Sequence, residues 1–335
     1  MAAKDYKIAT LGSHTALQIL KGARDEGFET IAVCTPQMAP VYKNFRAADK
    51  FIEISSVKDF FSVEEQLIRE NAILIPHASL ITYLNLDAIE RMRVMYYGNK
   101  KILRWESDRL LERKLLQNAG LKLPRIFDSP AGIDRPVIVK FYGAKGGKGY
   151  FVVKNEKEFE EKMKQETTGE QYIIQEYIVG VPLYAHYFYS RMSSELEIMG
   201  FDKRYESNVD SIGRIAAKDQ MNLNLETSYN IVGNIPVVVR ESLLPQIFSM
   251  GTETVKAAED AGGLFGPFCL EMIITPQLDF YVFELSARIV AGTNPYIAHS
   301  PYTYVRYNEP MSTGRRIARE IREAIAADRL DEILG

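Results

Sequence analysis

Two stretches of this chain carry residue types suited to a polyphosphate. The first is Lys140-Phe141-Tyr142-Gly143-Ala144-Lys145-Gly146-Gly147-Lys148-Gly149-Tyr150, with four glycines and three lysines in eleven residues. Glycine lets backbone approach a ligand closely, lysine adds a compact positive charge, and successive N–H groups in such a turn can cradle phosphate oxygens. The spacing is not that of a P-loop, because Gly147-Lys148 is followed by Gly149 and Tyr142 stands where the first glycine belongs. Nor is there a G-x-G-x-x-G opening a helix. An apolar run at 136–140 leads in and a strand-like run at 149–153 leads out, which predicts a strand–loop–strand flap over a nucleotide. A mobile hairpin tip with solvated lysines would account for the glycines, but not for Lys140 at the end of an apolar strand.

The second stretch, residues 269–288, reads CLEMIITPQLDFYVFELSAR. With a four-residue turn at 276–279, Thr275 faces Phe280 and counting outward sets Glu271 against Glu284. Directly opposed residues have Cβ atoms ~4.5–5.5 Å apart. Two carboxylates so placed repel each other unless a proton or a cation lies between them, and apolar Leu270, Met272, Phe283 and Leu285 make the unpaired arrangement costlier. Hard oxygen ligands beside a triphosphate suit Mg²⁺, or Mn²⁺, bridged by phosphate oxygens. A different strand register would leave both glutamates solvated. Arg288, four residues past Glu284, is a candidate for offsetting charge on a transferring phosphate, or else a structural partner for a carboxylate.

Weaker signals surround these two. Gln175-Glu176-Tyr177 ends an apolar strand past the flap, where backbone groups can read adenine and a carboxylate can take ribose hydroxyls; alone it is an ordinary strand end. His14 sits between a strand and a helix start, where N–H groups favour anions, and Ser79 follows another strand end; both have plain structural readings, as a satisfied histidine and a helix cap. Gly292-Thr293-Asn294 offers small hydrogen-bonding groups that either line an acceptor pocket or shape a loop. The tract 202–208 mixes charges in a manner typical of a solvated loop. His77, His186 and His299 share no metal spacing and read as structural.

The elements that must position these residues follow from pattern. Lys7–Leu11, 30–34, 72–76 and 95–97 read as strands, with a helix at 15–25 ended by Gly27. Strands alternating with helices predict a parallel sheet, whose ligands bind at the C-terminal strand ends: Gly12-Ser13-His14, Thr35-Pro36 and His77-Ala78-Ser79. One helix is expected over 101–119, with Gly120 as its stop. After a linker at 121–124, strands are expected at 136–140, 149–153 and 172–177 around a helix at 155–164. Strands at 183–190, 196–201 and 236–240, a helix at 246–261, a hairpin 268–275/280–286 and a closing helix 315–326 complete the chain. The expected division is 1–122, 123–180 and 181–335.

The bulk numbers bound the answer. A chain of 335 residues suits two or three subdomains. A hydrophobic fraction of 46% and a charged fraction of 25% are those of a globular protein. The net charge of −3 gives no support for nucleic acid as partner. Cys34 and Cys269, both in apolar runs, read as buried free thiols. The first seven residues do not form a signal peptide, and no apolar run approaches the ~18 residues of a membrane span, so a cytoplasmic location and no membrane partner are expected.

Taken in order, a leading α/β unit, a linker, a lysine-plus-glycine flap, a carboxylate at the hinge and two late glutamates resemble the ATP-grasp superfamily over the whole chain. The stretches Leu103-Arg104-Trp105-Glu106-Ser107-Asp108-Arg109, 143–150, Arg204-Tyr205-Glu206-Ser207-Asn208-Val209-Asp210, Gly266-Pro267-Phe268-Cys269-Leu270-Glu271 and Ser286-Ala287-Arg288-Ile289-Val290-Ala291-Gly292-Thr293-Asn294 resemble one archaeal family within it. This is the formate-dependent 5-formaminoimidazole-4-carboxamide ribonucleotide (FAICAR) synthetases of purine biosynthesis. The resemblance implies an N-terminal parallel-sheet domain followed by a two-lobed ATP-grasp domain, α/β and α+β in class. It also implies ligation of formate to 5-aminoimidazole-4-carboxamide ribonucleotide (AICAR) with ATP and Mg²⁺ or Mn²⁺. His14, Ser79 and Asn234 then match positions contacting AICAR. Lys140, the flap glycines and lysines, Glu176 and Glu206 match ATP positions, and Glu271 and Glu284 match metal ligands. Many ATP-grasp members carry Asn two residues after the second metal glutamate; Ser286 stands there, so it is left out of the ligand set. A trimer-based homo-oligomer is the implied assembly. A paralogous ligase with another carboxylate or amine, or a nucleotide sensor without chemistry, are the competing readings.

Overall fold

The computed structural model of this chain describes residues 5–141, 150–164, 171–216, 218–220 and 228–335. Strands β1 (Lys7–Leu11), β2 (Glu29–Cys34), β3 (Lys50–Glu53), β4 (Ala72–Leu74) and β5 (Met95–Tyr96) form a parallel sheet in the order β3-β2-β1-β4-β5. β1, β2 and β4 are near-continuous apolar runs, as strands buried on both faces must be. β3 escapes the sequence reading because KFIE is short and charged at both ends. The strand order reverses between β1 and β4, and the crevice at such a switch point is where open parallel sheets take ligands.

The closing helix Thr313–Ala326 folds back onto the first helix, Ala16–Asp25. Two glycines permit the contact: a Cβ on Gly22 would lie 2.2 Å from the Arg315 backbone nitrogen, and one on Gly314 2.3 Å from the Gln18 carbonyl oxygen. The last residues bridge Tyr97 to Leu334 beside β5. The C-terminal segment therefore supplies part of the covering of the N-terminal sheet, and the apolar cores of the first and third segments run together.

The middle segment has a core of its own. β6 (Ile126–Phe127), β7 (Val137–Phe141), β8 (Tyr150–Val153) and β9 (Tyr172–Glu176) pair antiparallel in the order β6-β9-β7-β8. Their inward residues Val137, Val139, Phe141, Phe151, Val153 and Ile174 close on Phe127, Ile133 and Phe159. Phe159 lies on the helix Glu156–Met163, which Asn155 caps by accepting the Glu158 N–H at 2.9 Å.

The third sheet is antiparallel, in the order β12-β11-β10-β13-β14: β10 (Val181–Ser190), β11 (Glu195–Asn208), β12 (Tyr229–Val237), β13 (Gly266–Ile274) and β14 (Phe280–Ser286). The strand expected at 236–240 thus lies earlier, because it pairs with the long β11 in a register that sets Arg204 against Asn234. Alternation gives this sheet an apolar face (Leu183, Ala185, Tyr187, Phe268, Leu270, Met272) and a polar one. Direct pairing places Pro236, Asp202, Tyr184, Glu271 and Glu284 in one row across all five strands.

The helix expected over 101–119 is broken in two, Ile102–Ser107 and Arg109–Asn118. Asp108 leaves helical geometry and its side chain accepts the N–H groups of Leu110 and Leu111. An Asp that competes in this way for backbone donors starts a new helix. Both cysteines are buried and free. No described helix is long and apolar enough to cross a membrane. The α/β and α+β architecture, with a parallel-sheet domain ahead of two antiparallel lobes, is the one anticipated.

Candidate active site

The β13–β14 hairpin sets Glu271 opposite Glu284, by a route the simple count did not foresee. The turn is one residue longer than expected: Ile274 pairs with Phe280, the Thr275 N–H donates to the Asp279 carbonyl at 3.0 Å, and Leu278 takes φ +65°. A bulge at Phe283 then restores the register. Two departures of one residue cancel, and the two glutamates are cross-strand partners.

β14 is an edge strand, and its outward N–H groups need partners. Glu112 accepts the Leu285 N–H at 2.6 Å and Glu106 accepts the Ala287 N–H at 2.9 Å. The break at Asp108 is what allows two glutamates six residues apart to reach successive outward donors of one strand. Glu106 also holds Arg288, with 2.8 Å between Nη2 and Oε1. Sequence reasoning left Glu106 and Glu112 out of the candidate site. The available signal was a glutamate on the apolar stripe of a helix, next to Leu115 and Leu116.

A cavity of about 240 Å³ opens beneath this edge. Its walls include Glu106, Arg109, Glu112, Lys140, Gln175, Phe283 and Glu284. Lys140 projects from β7 so that its Nζ lies 5.7 Å from the centre of the Phe283 ring. Burial and then Arg109 lower the Lys140 pKa, against the pull of Glu284, Glu112 and Glu271. Burial raises the carboxyls of Glu106, Glu112 and Glu271. For Glu271 and Glu112 the Glu284 charge is the next cause. Glu271 is pushed up to about 8, although Arg204 and Arg288 draw it down. Its Oε1 accepts from Arg204 Nη2 at 3.3 Å, and the same guanidinium lies 4.1 Å from the Tyr184 ring centre. The cavity is thus short of positive charge at its carboxylate end. That deficit fits a hard divalent cation between Glu271 and Glu284, although among the described residues no three His, Cys, Asp or Glu side chains converge into a complete metal site. Phosphate oxygens would have to fill the remaining positions.

Of the adenine-side candidates, Gln175 lines the cavity. Glu176 instead accepts from the Arg125 N–H at 3.1 Å and Arg135 Nη1 at 3.0 Å, and the Tyr177 N–H bonds the Pro136 carbonyl. Glu206 lies on β11 with its N–H on Asp210, outside that cavity's walls, and burial with Asp210 raises its carboxyl. Gly143, Lys145, Gly146, Gly147, Lys148 and Gly149 lie outside the described residues.

The second cluster forms at the switch point. His77 is fully buried; its Nε2–H donates to the Leu11 carbonyl at 2.8 Å, and its Nδ1 accepts the Ser79 N–H at 3.3 Å, which fixes one neutral tautomer. Burial lowers its pKa to about 4. The His14 ring stacks on it at 5.5 Å with planes 6° apart, on a residue held at φ +54°. Partial removal from water, then His77, Arg288 and Arg204, keep His14 neutral too. Ser79 meets Ser13, oxygen to oxygen, at 2.9 Å. Gln18 donates to Thr293 at 2.6 Å and Asn294 at 2.8 Å, while Asn294 donates to the His14 carbonyl at 3.1 Å. A parallel bridge between His77 and Ile289 brings the segment after β14 onto the end of β4. Arg204 and Arg288, acting on both His14 and Glu271, stand between the two clusters. Asn234 reaches Asp202 from β12.

Comparison with known proteins gives matches along nearly the whole chain. Residues 8–127 match a family described as a protein of unknown function (DUF1246), and residues 151–335 a domain of unknown function (DUF1297). The 5-formaminoimidazole-4-carboxamide-1-(beta)-D-ribofuranosyl 5'-monophosphate synthetase of Pyrococcus abyssi is 56% identical, over 98% of this chain and 98% of that one. The protein of that name from Methanocaldococcus jannaschii is 47% identical, over 99% and 95%. Among solved structures, an IMP biosynthesis protein PurP from Thermococcus kodakaraensis superposes with TM-score 0.76 at 30% identity, over 98% of this chain and all of that one. N5-carboxyaminoimidazole synthetase from Staphylococcus aureus, complexed with ADP, superposes with TM-score 0.67 at 15% identity, over 94% and 77%, a likeness of fold alone.

Proposed function

The chain belongs to the family of 5-formaminoimidazole-4-carboxamide-1-(beta)-D-ribofuranosyl 5'-monophosphate synthetases, and on that premise we propose that it joins formate to the 5-amino group of AICAR with ATP, releasing FAICAR, ADP and phosphate. The observation that carries the reading is the pair Glu271 and Glu284, opposed across a hairpin, with Glu284 in the wall of the cavity that Lys140 and Gln175 also line.

The nucleotide is assigned to that cavity, with Gln175, Glu176 and Tyr177 at its base end and Lys140 toward the phosphates. The glycine-rich stretch 143–149 is assigned to the phosphates, and Glu206 is retained as a nucleotide contact, both on the family resemblance. Glu271 and Glu284 would hold Mg²⁺ or Mn²⁺, which supplies positive charge to the phosphate oxygens. AICAR is assigned to the cleft of His14, Ser79, Asn234, Thr293 and Asn294, whose neutral donors and acceptors suit a polar heterocycle.

Formate is a poor electrophile as an anion, so it needs a leaving group. A formate oxygen attacks the γ-phosphorus and the bond to ADP breaks, giving formyl phosphate. The AICAR 5-amine attacks the formyl carbon, the carbon–oxygen bond to phosphate breaks, and the amine proton leaves with phosphate. Lys140 and Arg288 offset charge on the transferring group, the main lever in phosphoryl transfer. Arg288 is oriented for this by Glu106. The acyl phosphate must be kept from water until the amine attacks.

A trimer-based assembly, a cytoplasmic location, and small-molecule partners without nucleic acid or membrane belong to the same proposal. The test is phosphate release from ATP, with formate and AICAR supplied singly and together. Release only with both is expected. Release without AICAR, or only with a different carboxylate and amine, overturns the assignment.

A further inference from the structure

The polar face of the five-stranded sheet holds a buried pair that the reaction above leaves unused. Asp202 is 0% exposed and His186 1%. The His186 Nε2–H donates to Asp202 Oδ1 at 2.8 Å, and Asn234 Nδ2 donates to Asp202 Oδ2 at 2.7 Å. Burial favours the neutral acid, but the His186 bond, with Arg204 and Asn234, outweighs it and holds this carboxyl below the usual range. An ionised carboxylate only accepts. The amide of Asn234 therefore has a fixed polarity, NH₂ toward Asp202 and oxygen away.

That oxygen has room to act. Asn234 is half-buried, and among the described residues its side chain makes no hydrogen bond besides the one to Asp202. Its cross-strand partner is Arg204, whose guanidinium reaches Glu271. The turn carrying Thr293 and Asn294 lies directly on the pair: a Cβ on Gly292 would sit 2.1 Å from Asp202 Oδ1 and 2.6 Å from His186 Cε1. A buried polar pair is weak evidence for stability, since apolar residues of similar volume often serve as well.

We infer that Asp202, pinned by His186, is a positioning residue that turns the Asn234 amide so that its oxygen accepts an N–H from the amine-bearing substrate. This rests on the reading of AICAR as that substrate. AICAR offers N–H groups on its 5-amine and on its carboxamide, whereas a carboxylate at the same place would be refused.

Asp202→Asn keeps the size and the bond from His186. The new NH₂ faces Asn234, whose amide turns to accept it and presents NH₂ to the cleft. KM for AICAR is expected to rise ~10-fold or more, with KM for ATP and formate and Tm near wild type. Asn234→Ala, which leaves the Asp202–His186 bond in place, is expected to raise KM for AICAR comparably. It decides the question if Asp202→Asn does not fold. The exchange Asp202→Asn with Asn234→Asp restores an acceptor toward the cleft and should recover most of the AICAR affinity. The AICAR analogue with a carboxylate for the carboxamide separates two supporting cases. A lowered preference for AICAR over the analogue in Asp202→Asn locates the contact at the carboxamide, and parallel loss of both locates it at the 5-amine. Unchanged KM for AICAR in folded Asp202→Asn or Asn234→Ala, or an exchange variant no better than Asp202→Asn, overturns the inference. If the wild type does not turn over ATP with formate and AICAR, the functional reading fails separately. The variants are then compared by calorimetry of AICAR binding, and no binding to the wild type overturns the inference as well.

Discussion

The cavity beneath β14 and the cleft at the ends of β1 and β4 treat buried polar groups in opposite ways. In the cleft, hydrogen bonds tie the parts together without charge: both nitrogens of His77 are bonded, Ser13 meets Ser79, and Gln18 ties Thr293 and Asn294 to the first turn. In the cavity the ionisable groups are held away from their charged forms, with Glu106, Glu112 and Glu271 raised and Lys140 lowered, burial being the first cause in each. The cleft side chains are thus held in place by uncharged hydrogen bonds before any ligand arrives. A site with opposed carboxyls must take up either a proton or a cation, and such a region makes its stability depend on what it binds.

That contrast can be broken at four places. The largest effect is expected for Glu271→Gln or Glu284→Gln, which should cut kcat about 10³-fold, the several kcal/mol of transition-state charge stabilisation a bound metal supplies; the metal-free fold should be unharmed, as Gln matches the neutral form that burial and the Glu284 charge already favour at Glu271, and at Glu284 it removes that charge. Circular dichroism beside steady-state kinetics checks both halves. Next, Lys140→Met should lower kcat about 10²-fold and weaken ATP binding, with the AICAR affinity unchanged by calorimetry.

The third break uses pH. The Glu271 carboxyl is raised to about 8 in the metal-free protein, so a cation must displace a proton to bind. Mg²⁺ affinity should then fall ~10-fold per pH unit as pH drops below that value. The stability sign is also fixed. A carboxyl raised on folding contributes stability that is fully present below its unfolded pKa and is lost as pH rises through the folded one. Without cation, Tm should therefore decline from this group between about pH 4.5 and 8, and Mg²⁺ with nucleotide should stabilise the protein more at pH 8.5 than at pH 6. Scanning calorimetry at the two pH values reads this directly. The smallest effect belongs to the cleft: Ser79→Ala should raise KM for AICAR by several-fold, about 1 kcal/mol for one hydrogen bond, with no change in metal affinity.

The difference between the two regions also decides what could be read from sequence. Apolar strands β1, β2 and β4 announce a parallel sheet, and their ends locate the cleft, because strand order and strand ends are written in local pattern. Lys140, with the glycines after it, is equally local. The opposition of Glu271 and Glu284 was reachable by counting, but only because a longer turn and the Phe283 bulge cancel. Glu112 left one trace, its place on an apolar helix stripe, but the role it shares with Glu106 depends on the helix break at Asp108 meeting the edge of β14, a contact between distant segments. The same holds for Asp202, which looks like part of a charged loop in sequence and is buried on β11 in the fold. Glu176 was legible as a strand-end carboxylate, but its bonds to Arg125 and Arg135 were not, because those partners lie far from it in sequence.

A divalent cation shared by Glu271 and Glu284 is measured most directly by Mn²⁺ titration followed by electron paramagnetic resonance, with ADP present. Nucleotide-dependent Mn²⁺ binding is expected in the wild type and in Ser79→Ala, with its loss in Glu271→Gln and in Glu284→Gln. Wild-type Mn²⁺ binding in either glutamine variant would contradict it.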